Sequence, residues 1–494
     1  MPVNDRWGDG EMRRSGAHKT ENNRAPHRPS APPPHRSVIV IGGGFAGLSA
    51  ATALAERGIV VTVLEGRQVL GGRAYSFKDP QTGDSVDNGQ HLFMGCYRET
   101  IAFLERIGTS ARLKFQRDLS VRFAGDRGRR AMLRCWPLPA PLHLVSGLLR
   151  LQTLPWLDRL RLIKVDQALR RVRARPGSLS HVTVRQWLNS CGQSETAQRH
   201  FWDLIAIATL NEDPAIACAE PFAAVLAQAF FDARESSRLG IASVGLSDLY
   251  AKEAARYIEE RGGSVLLKSP VAKIETARGR AVAVRLREGT GLEADWILSA
   301  VAPTAFLKLL PDGLIESHPE LQRIAQLQFA PIISIHLWFD RAIIGCKFAG
   351  LLDTHVQWAF DKSRILKDVQ TRDGYLSLVI SGAHAFTDWT EKRIVTLALE
   401  ELRRIFPEAR DAALARSLVI KEHQATLSPT VGSEILRPGP VSPLPNFLVA
   451  GDWTRTGLPA TIESACMSGH ACATIILSSL SAARKPEEAR HVAR

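Results

Sequence analysis

Three glycines at Gly42-x-Gly44-x-x-Gly47, followed 23 positions after the first by the acidic Glu65, have the spacing of a site for an adenine dinucleotide. Gly42 permits a tight turn, Gly44 lets backbone N–H groups approach a pyrophosphate, and Gly47 lets a helix pack closely on a strand. Phe45 and Ala46 fill the variable positions between them. A helix starting here aims free N–H donors and partial positive charge at the phosphates. Glu65 is placed to accept hydrogen bonds from a ribose. The flanking residues supply the elements this chemistry needs. Residues 38–41 (Val-Ile-Val-Ile) predict a buried strand, an alanine-rich helix runs to Arg57, Gly58 stops it, and residues 60–64 predict the next strand.

Further pieces lie far apart in the chain. Gly71-Gly72-Arg73 follows Glu65, Val271 comes after Ser269-Pro270, and Gly451-Asp452 precedes Ala460-Thr461-Ile462-Glu463-Ser464. In this order they resemble the extended signature of the amine oxidase and phytoene desaturase superfamily of flavoproteins. The resemblance implies FAD. The first glycine loop would hold its phosphates, Gly72 and Arg73 would join the cofactor-binding set, and the Val271 backbone would meet adenine. Gly451-Asp452 would hold the ribitol, and the helix after Ala460-Thr461-Ile462 would point its N-terminus at the flavin.

One branch is closer. Val86-Asp87-Asn88-Gly89-Gln90-His91-Leu92-Phe93-Met94-Gly95-Cys96-Tyr97, with residues 450–454 (Ala-Gly-Asp-Trp-Thr) and 456–463 (Thr-Gly-Leu-Pro-Ala-Thr-Ile-Glu), resembles the squalene-associated FAD-dependent desaturase family. Thr209-Leu210-Asn211 and Leu436-Arg437-Pro438 accompany these motifs, and the likeness runs from Ser37 to about Ser478. It implies a hydroxysqualene dehydroxylase of hopanoid biosynthesis, in which hydroxysqualene and reduced flavin give squalene, water and oxidised flavin. Hydroxide leaves poorly, so a proton donor must reach the departing oxygen, and the carbon must be held against the hydride source in a dry site. Asp87, His91 and Tyr97 are the candidates for that work. Each also has a plain structural reading: His91 tying its loop to backbone, Tyr97 packing, Asp87 orienting Arg73 or a turn. A carotenoid or phytoene desaturase, running the flavin oxidatively, is the nearest alternative. A non-enzymatic prenyl-binding protein on the same fold is the second, and the intact Glu65, Arg73 and Asp452 set argues against it.

The elements around these motifs set the architecture. With 494 residues, 45% of them hydrophobic and 23% charged, the chain has ordinary globular composition and material for a large core. The pattern predicts an α/β protein with a Rossmann-like FAD-binding domain built from discontinuous segments, a sheet-containing substrate domain and a helical membrane-docking lobe. The expected boundaries are a disordered extension at 1–36, FAD-binding segments at 37–110, 240–300 and 420–480, a helical lobe at 111–239, a substrate sheet at 301–419 and a tail at 481–494. A helix is expected over 240–257, strands over 332–339 and 375–380, and a buried, non-spanning helix from Ser464.

The net charge is +13, and its placement is informative. Residues 126–175 hold twelve Arg or Lys against three Asp, interleaved with Trp136, Trp156 and leucines; residues 1–36 hold seven against four. Basic charge, tryptophan and leucines at helical spacing describe a helix lying in an anionic membrane interface. The expected setting is the cytoplasmic side, with peripheral attachment. The seven scattered cysteines lack metal or redox spacing, so no metal is expected. The basic residues alternate with leucine and proline rather than stacking aromatics, which excludes a nucleic-acid groove. The electron donor is left open.

Overall fold

The computed structural model describes residues 37–367 and 373–492. At its centre is a five-stranded, all-parallel sheet in the order Ser264–Leu266, Val60–Leu64, Ser37–Ile41, Trp296–Ser299, Phe447–Val449. Both faces are covered, so its strands are nearly continuous apolar runs. Val38 and Val40 face one layer, and Ile39 and Ile41 the other.

The first layer is formed by helices Phe45–Glu56 and Ile462–Val492, which pack on one another. A side chain at Gly47 would stand 2.0 Å from the Gly42 carbonyl oxygen, so only glycine lets the helix start this close to its strand. The stretch Ile462–Ala482 is apolar and long enough to cross a membrane. Its Cys466, Cys472, Ala473 and Ile476 nevertheless lie in the core beside the first helix. On the opposite face sit the antiparallel strands Val271–Ala277, Arg280–Leu286 and Gly291–Glu293, with helix Pro303–Leu309.

A seven-stranded sheet roofs the molecule, in the order Leu414–Leu427, Phe329–Phe339, Tyr375–Ser381, Trp358–Asp361, Phe348–Leu351, Ser120–Ala124, Arg130–Arg134. Period-two alternation gives this roof two distinct faces. Ile333, Ile335 and Leu337 join Leu376, Leu378 and Ile380 against helix Glu391–Ile405, which presents Ile394, Ala398, Leu402 and Ile405 at helical spacing. The other face carries Ser334, His336 and Trp338, opposite Tyr375 and Ser377.

Several expected boundaries move. The 111–239 lobe is not purely helical, because Leu113–Phe115, Ser120–Ala124 and Arg130–Arg134 are strands, two of them in the roof. The roof begins near Phe329 rather than 301, since Phe306 stacks on Phe447 of the parallel sheet. It ends beyond 420, since Leu414–Leu427 is its edge strand. The helix expected over 240–257 begins at Ser247, after strand Leu239–Ala242 pairs with Phe93–Met94 and Leu113–Phe115. The expected tail from 481 is helical to Val492. The extension at 1–36 lies outside the described residues.

The basic region also resolves differently from one amphipathic stripe. It forms helices Leu142–Leu148 and Trp156–Ala174. In the longer helix Val165, Leu169 and Val172 face the core, whereas Trp156 is 66% and Ile163 59% exposed, with Leu157 and Leu160 exposed beside them. Trp136, Leu142, Val145 and Leu149 are exposed too, and Arg150 stacks over the Trp136 ring at 3.9 Å.

Candidate active site

The two glycine loops meet. A side chain on Gly72 would come within 3.3 Å of the Gly44 Cα, and the Gly71 N–H donates to the Gly43 carbonyl at 2.8 Å. At the end of the second strand, Glu65 lies with one carboxylate oxygen accepting from the Gly43 N–H and the other from the Arg67 N–H, both at 2.9 Å. The Ser269 N–H donates to the Glu65 carbonyl, which brings the Ser269-Pro270-Val271 segment alongside. The sequence-predicted phosphate, ribose and adenine residues therefore share one end of the parallel sheet, outside the carboxyl ends of its strands, where such sheets bind ligands.

The C-terminal pieces join from the other side. Arg73 donates to the Asp452 carboxylate at 2.5 Å and to the Ala425 carbonyl at 2.9 Å. Asp452 sits in a loop braced by a buried arginine: Arg437 donates to the carbonyls of Asp452, Thr454 and Leu458 at 2.9, 2.6 and 2.7 Å. Next to it the Thr461 hydroxyl accepts from the Ser464 N–H at 3.2 Å and caps the helix beginning at Ile462. Glu463 turns away, accepting the Glu99 and Thr100 N–H groups at the start of helix Arg98–Arg106. Burial raises its carboxyl pKa above the ordinary range.

The 86–97 motif lies directly against Arg73. Asn88 donates to the Arg73 carbonyl at 2.6 Å and accepts from the Tyr75 N–H at 3.1 Å. Asp87 is not free to give a proton. One of its oxygens accepts from the Leu246 N–H at 2.9 Å, and the other accepts from the ammonium of Lys362 at 2.8 Å. Nor does it orient Arg73, whose carboxylate partner is Asp452. Lys362 is 1% exposed and also donates to Gln90 at 2.8 Å. Two of its three N–H donors are thus engaged, and no partner for the third occurs among the described residues.

His91 Nδ1 bonds the Gly89 carbonyl at 2.9 Å, and burial, aided by Lys362, lowers its pKa. Tyr97 stands at the start of helix Arg98–Arg106, hydrogen-bonded to Thr461, with its phenol pushed well up by burial. His91 and Tyr97 therefore occupy different places: His91 belongs with Lys362 under the roof, Tyr97 with the last helix.

Sequence reading missed Lys362, Gln90 and His336. His336 is fully buried, bonds the Tyr375 hydroxyl at 3.0 Å through Nδ1, and is pushed down to about 4 by burial, with Lys362 adding to the effect. The one signal available was the alternation of polar Ser334 and His336 with apolar neighbours, which marks a strand face but not what lies over it. Lys362, beside Asp361 at a strand end, carried none.

The cradle fits FAD. Two glycine loops approach one another with no side chains between them, a carboxylate stands at the end of the second strand, and an Arg–Asp pair and a capped helix N-terminus close the far end. A parallel dinucleotide fold with this second half is that of a flavoprotein. Residues 45–477 match the flavin containing amine oxidoreductase family, and the chain belongs to it. It is an FAD-dependent oxidoreductase.

Relatives refine the likeness. The chain is 27% identical to the 15-cis-phytoene desaturase of Solanum lycopersicum, over 92% of its own length and 79% of the relative. It is 25% identical to a probable zeta-carotene desaturase of Synechococcus elongatus, over 89% and 98%. Among solved structures, an oxidoreductase from Methanosarcina mazei (17% identical, 88% and 99% covered) and putrescine oxidase (17%, 90% and 99%) both superpose with TM-score 0.69. These two share the fold.

Proposed function

We propose that this flavoenzyme removes the hydroxyl of hydroxysqualene, giving squalene and water, at an anionic membrane surface. The observation that carries the proposal is the polar cluster of Asp87, Gln90, His91 and Lys362, sunk between the flavin-binding loops and a roof whose neighbouring side chains Phe348, Trp358 and Phe360 are apolar. Removing hydrogen from a pure hydrocarbon gives such a cluster no oxygen to act on, whereas expelling hydroxide needs a proton donor.

FAD when bound supplies the hydride. The remaining work falls to the chain. Arg73 and Asp452 hold one another at the cofactor's expected ribitol end, and the Gly44–Gly72 approach leaves room for phosphates. Asp87 accepts from Lys362 and so holds it oriented; the third N–H of Lys362 is the donor available to a departing oxygen. Phe348, Trp358 and Phe360 cover one side of the cluster with apolar surface. Trp156, Leu157, Leu160 and Ile163, ringed by arginines, would enter the membrane interface from which an isoprenoid arrives, each nearby cation adding roughly 1 kcal/mol on an anionic leaflet.

The curated relatives support a second reading, an oxidative desaturase acting on a carotenoid precursor. One experiment separates the two. The holoenzyme is photoreduced without oxygen, hydroxysqualene is added, and flavin absorbance and squalene are followed. Stoichiometric reoxidation with squalene formed supports the dehydroxylase. A flavin that stays reduced with substrate bound, together with reduction of oxidised enzyme by phytoene, overturns it.

A further inference from the structure

Tyr250 stands outside every motif of the cofactor site, yet it touches both glycine loops. It lies in the helical turn Ser247–Ala251 and is fully buried. Its ring stacks on Phe45, with centroids 3.7 Å apart and planes 14° from parallel. Phe45 follows Gly44 in the first loop and begins the helix there. From the same ring the hydroxyl reaches the second loop, 2.8 Å from the Gly71 carbonyl oxygen and 3.0 Å from that of Ala74. Burial pushes the phenol pKa well up, so the group stays a donor, and its one hydrogen is shared between the two carbonyls.

Those carbonyls mark the two ends of a tight turn. The Ala74 N–H donates back to the Gly71 carbonyl at 2.9 Å, which leaves Gly72 and Arg73 as the central residues. Gly72 has φ +56° and faces the Gly44 Cα, and Arg73 carries the bond to Asp452. The shape of this one turn therefore sets both the approach of the glycine loops and the reach of the arginine. Two adjacent glycines give it little stiffness of its own. The segment bearing Tyr250 is fixed by other bonds: Ser247 Oγ accepts from the Ser76 N–H at 2.9 Å, and the Ser247 N–H donates to Ser76 Oγ at 3.0 Å. A hydroxyl on a fixed segment holds the soft turn in one arrangement before a ligand arrives. A site already in its bound shape loses no affinity to ordering.

We propose that Tyr250 is a positioning residue for FAD, its hydroxyl setting the 71–74 turn against the first glycine loop. The role is independent of which substrate the flavin serves.

Tyr250→Phe keeps the stack on Phe45 and removes only the hydroxyl. The freed turn samples other arrangements, and FAD has to select one of them. Holoenzyme is diluted serially, well below its melting temperature, and released FAD is followed by its fluorescence. The dissociation constant of the variant rises about tenfold, the equivalent of one hydrogen bond. Gln198→Leu is the comparison. Gln198 is buried in the helical lobe and donates to Asn189 at 2.7 Å and to the Gln193 carbonyl at 2.9 Å. Its loss removes bonds of the same kind away from the cradle, so the melting temperature falls and FAD affinity stays as in wild type. A Tyr250→Phe dissociation constant within about twofold of wild type overturns the proposal. An equal rise in both variants overturns it too, because it reduces Tyr250 to general packing.

Discussion

Lys362→Met removes one half of an ion pair in which the partners' side chains are 1% and 6% exposed. Methionine keeps the length and apolar stem but leaves the buried Asp87 carboxylate with its second oxygen unpartnered. Removing one member of a buried pair destabilises a protein by about 3–5 kcal/mol, mostly through the uncompensated charge left behind. Asp87→Leu leaves the ammonium held by Gln90 alone and falls in the same range. The pair also joins the motif strand Ser85–Asp87 to the roof at Lys362, so its loss loosens two parts of the site at once. Replacing both by apolar residues removes the stranded charge, and such replacements are often neutral. The double variant Asp87→Leu/Lys362→Met is therefore expected close to wild type, with a coupling energy of roughly 3 kcal/mol or more. Urea unfolding at one fixed FAD concentration measures all four proteins, since ligand concentration itself shifts apparent stability. A double variant as unstable as the sum of the singles would refute the reasoning, as would a Lys362→Met loss below about 1 kcal/mol.

Gly72→Ala places a methyl into the gap beside Gly44 and is expected to purify with little FAD; Gly58→Ala, which shares a positive φ but has open space around it, is expected to keep its full flavin content. Equal flavin in the two would remove the cradle argument. Because His336 titrates near 4 in the fold and near 6.5 when unfolded, the unfolded chain takes up the extra proton as pH falls below 6.5. Stability then declines toward pH 4 by about 3 kcal/mol from this residue. His336→Gln is expected to flatten that part of the pH–stability curve, and an unchanged slope would contradict the assignment. Trp156→Ser/Leu160→Ser/Ile163→Ser removes apolar side chains that face solvent, so its melting temperature stays near wild type. Its binding to anionic vesicles is expected to fall at least ~30-fold, and unchanged vesicle binding would rule this face out as the docking surface.

The cofactor half of this protein was legible because its signals are local. Gly42, Gly44 and Gly47 are read from spacing, residues 38–41 and 60–64 from apolar runs, and Glu65 from its distance along the chain; the parallel strands place all of them as the pattern requires. Backbone geometry near a phosphate tolerates only glycine, so chemistry and sequence correspond residue by residue. The motif residues Asp87 and His91 were legible as polar positions but not as roles. Whether a carboxylate donates a proton or holds a cation depends on what faces it, and Lys362 comes from a point 275 residues further along the chain. The basic helix was likewise recognisable from composition. Only packing against the core decided that Leu169 and Val172 turn inward while Trp156 and Ile163 turn out. His336 and Ser377 depend on strand register, which long-range hydrogen bonds fix and spacing does not encode. Local backbone demands are written in the sequence, whereas the protonation and partnership of buried polar groups are set by tertiary contacts that bring distant charges into one place of low dielectric.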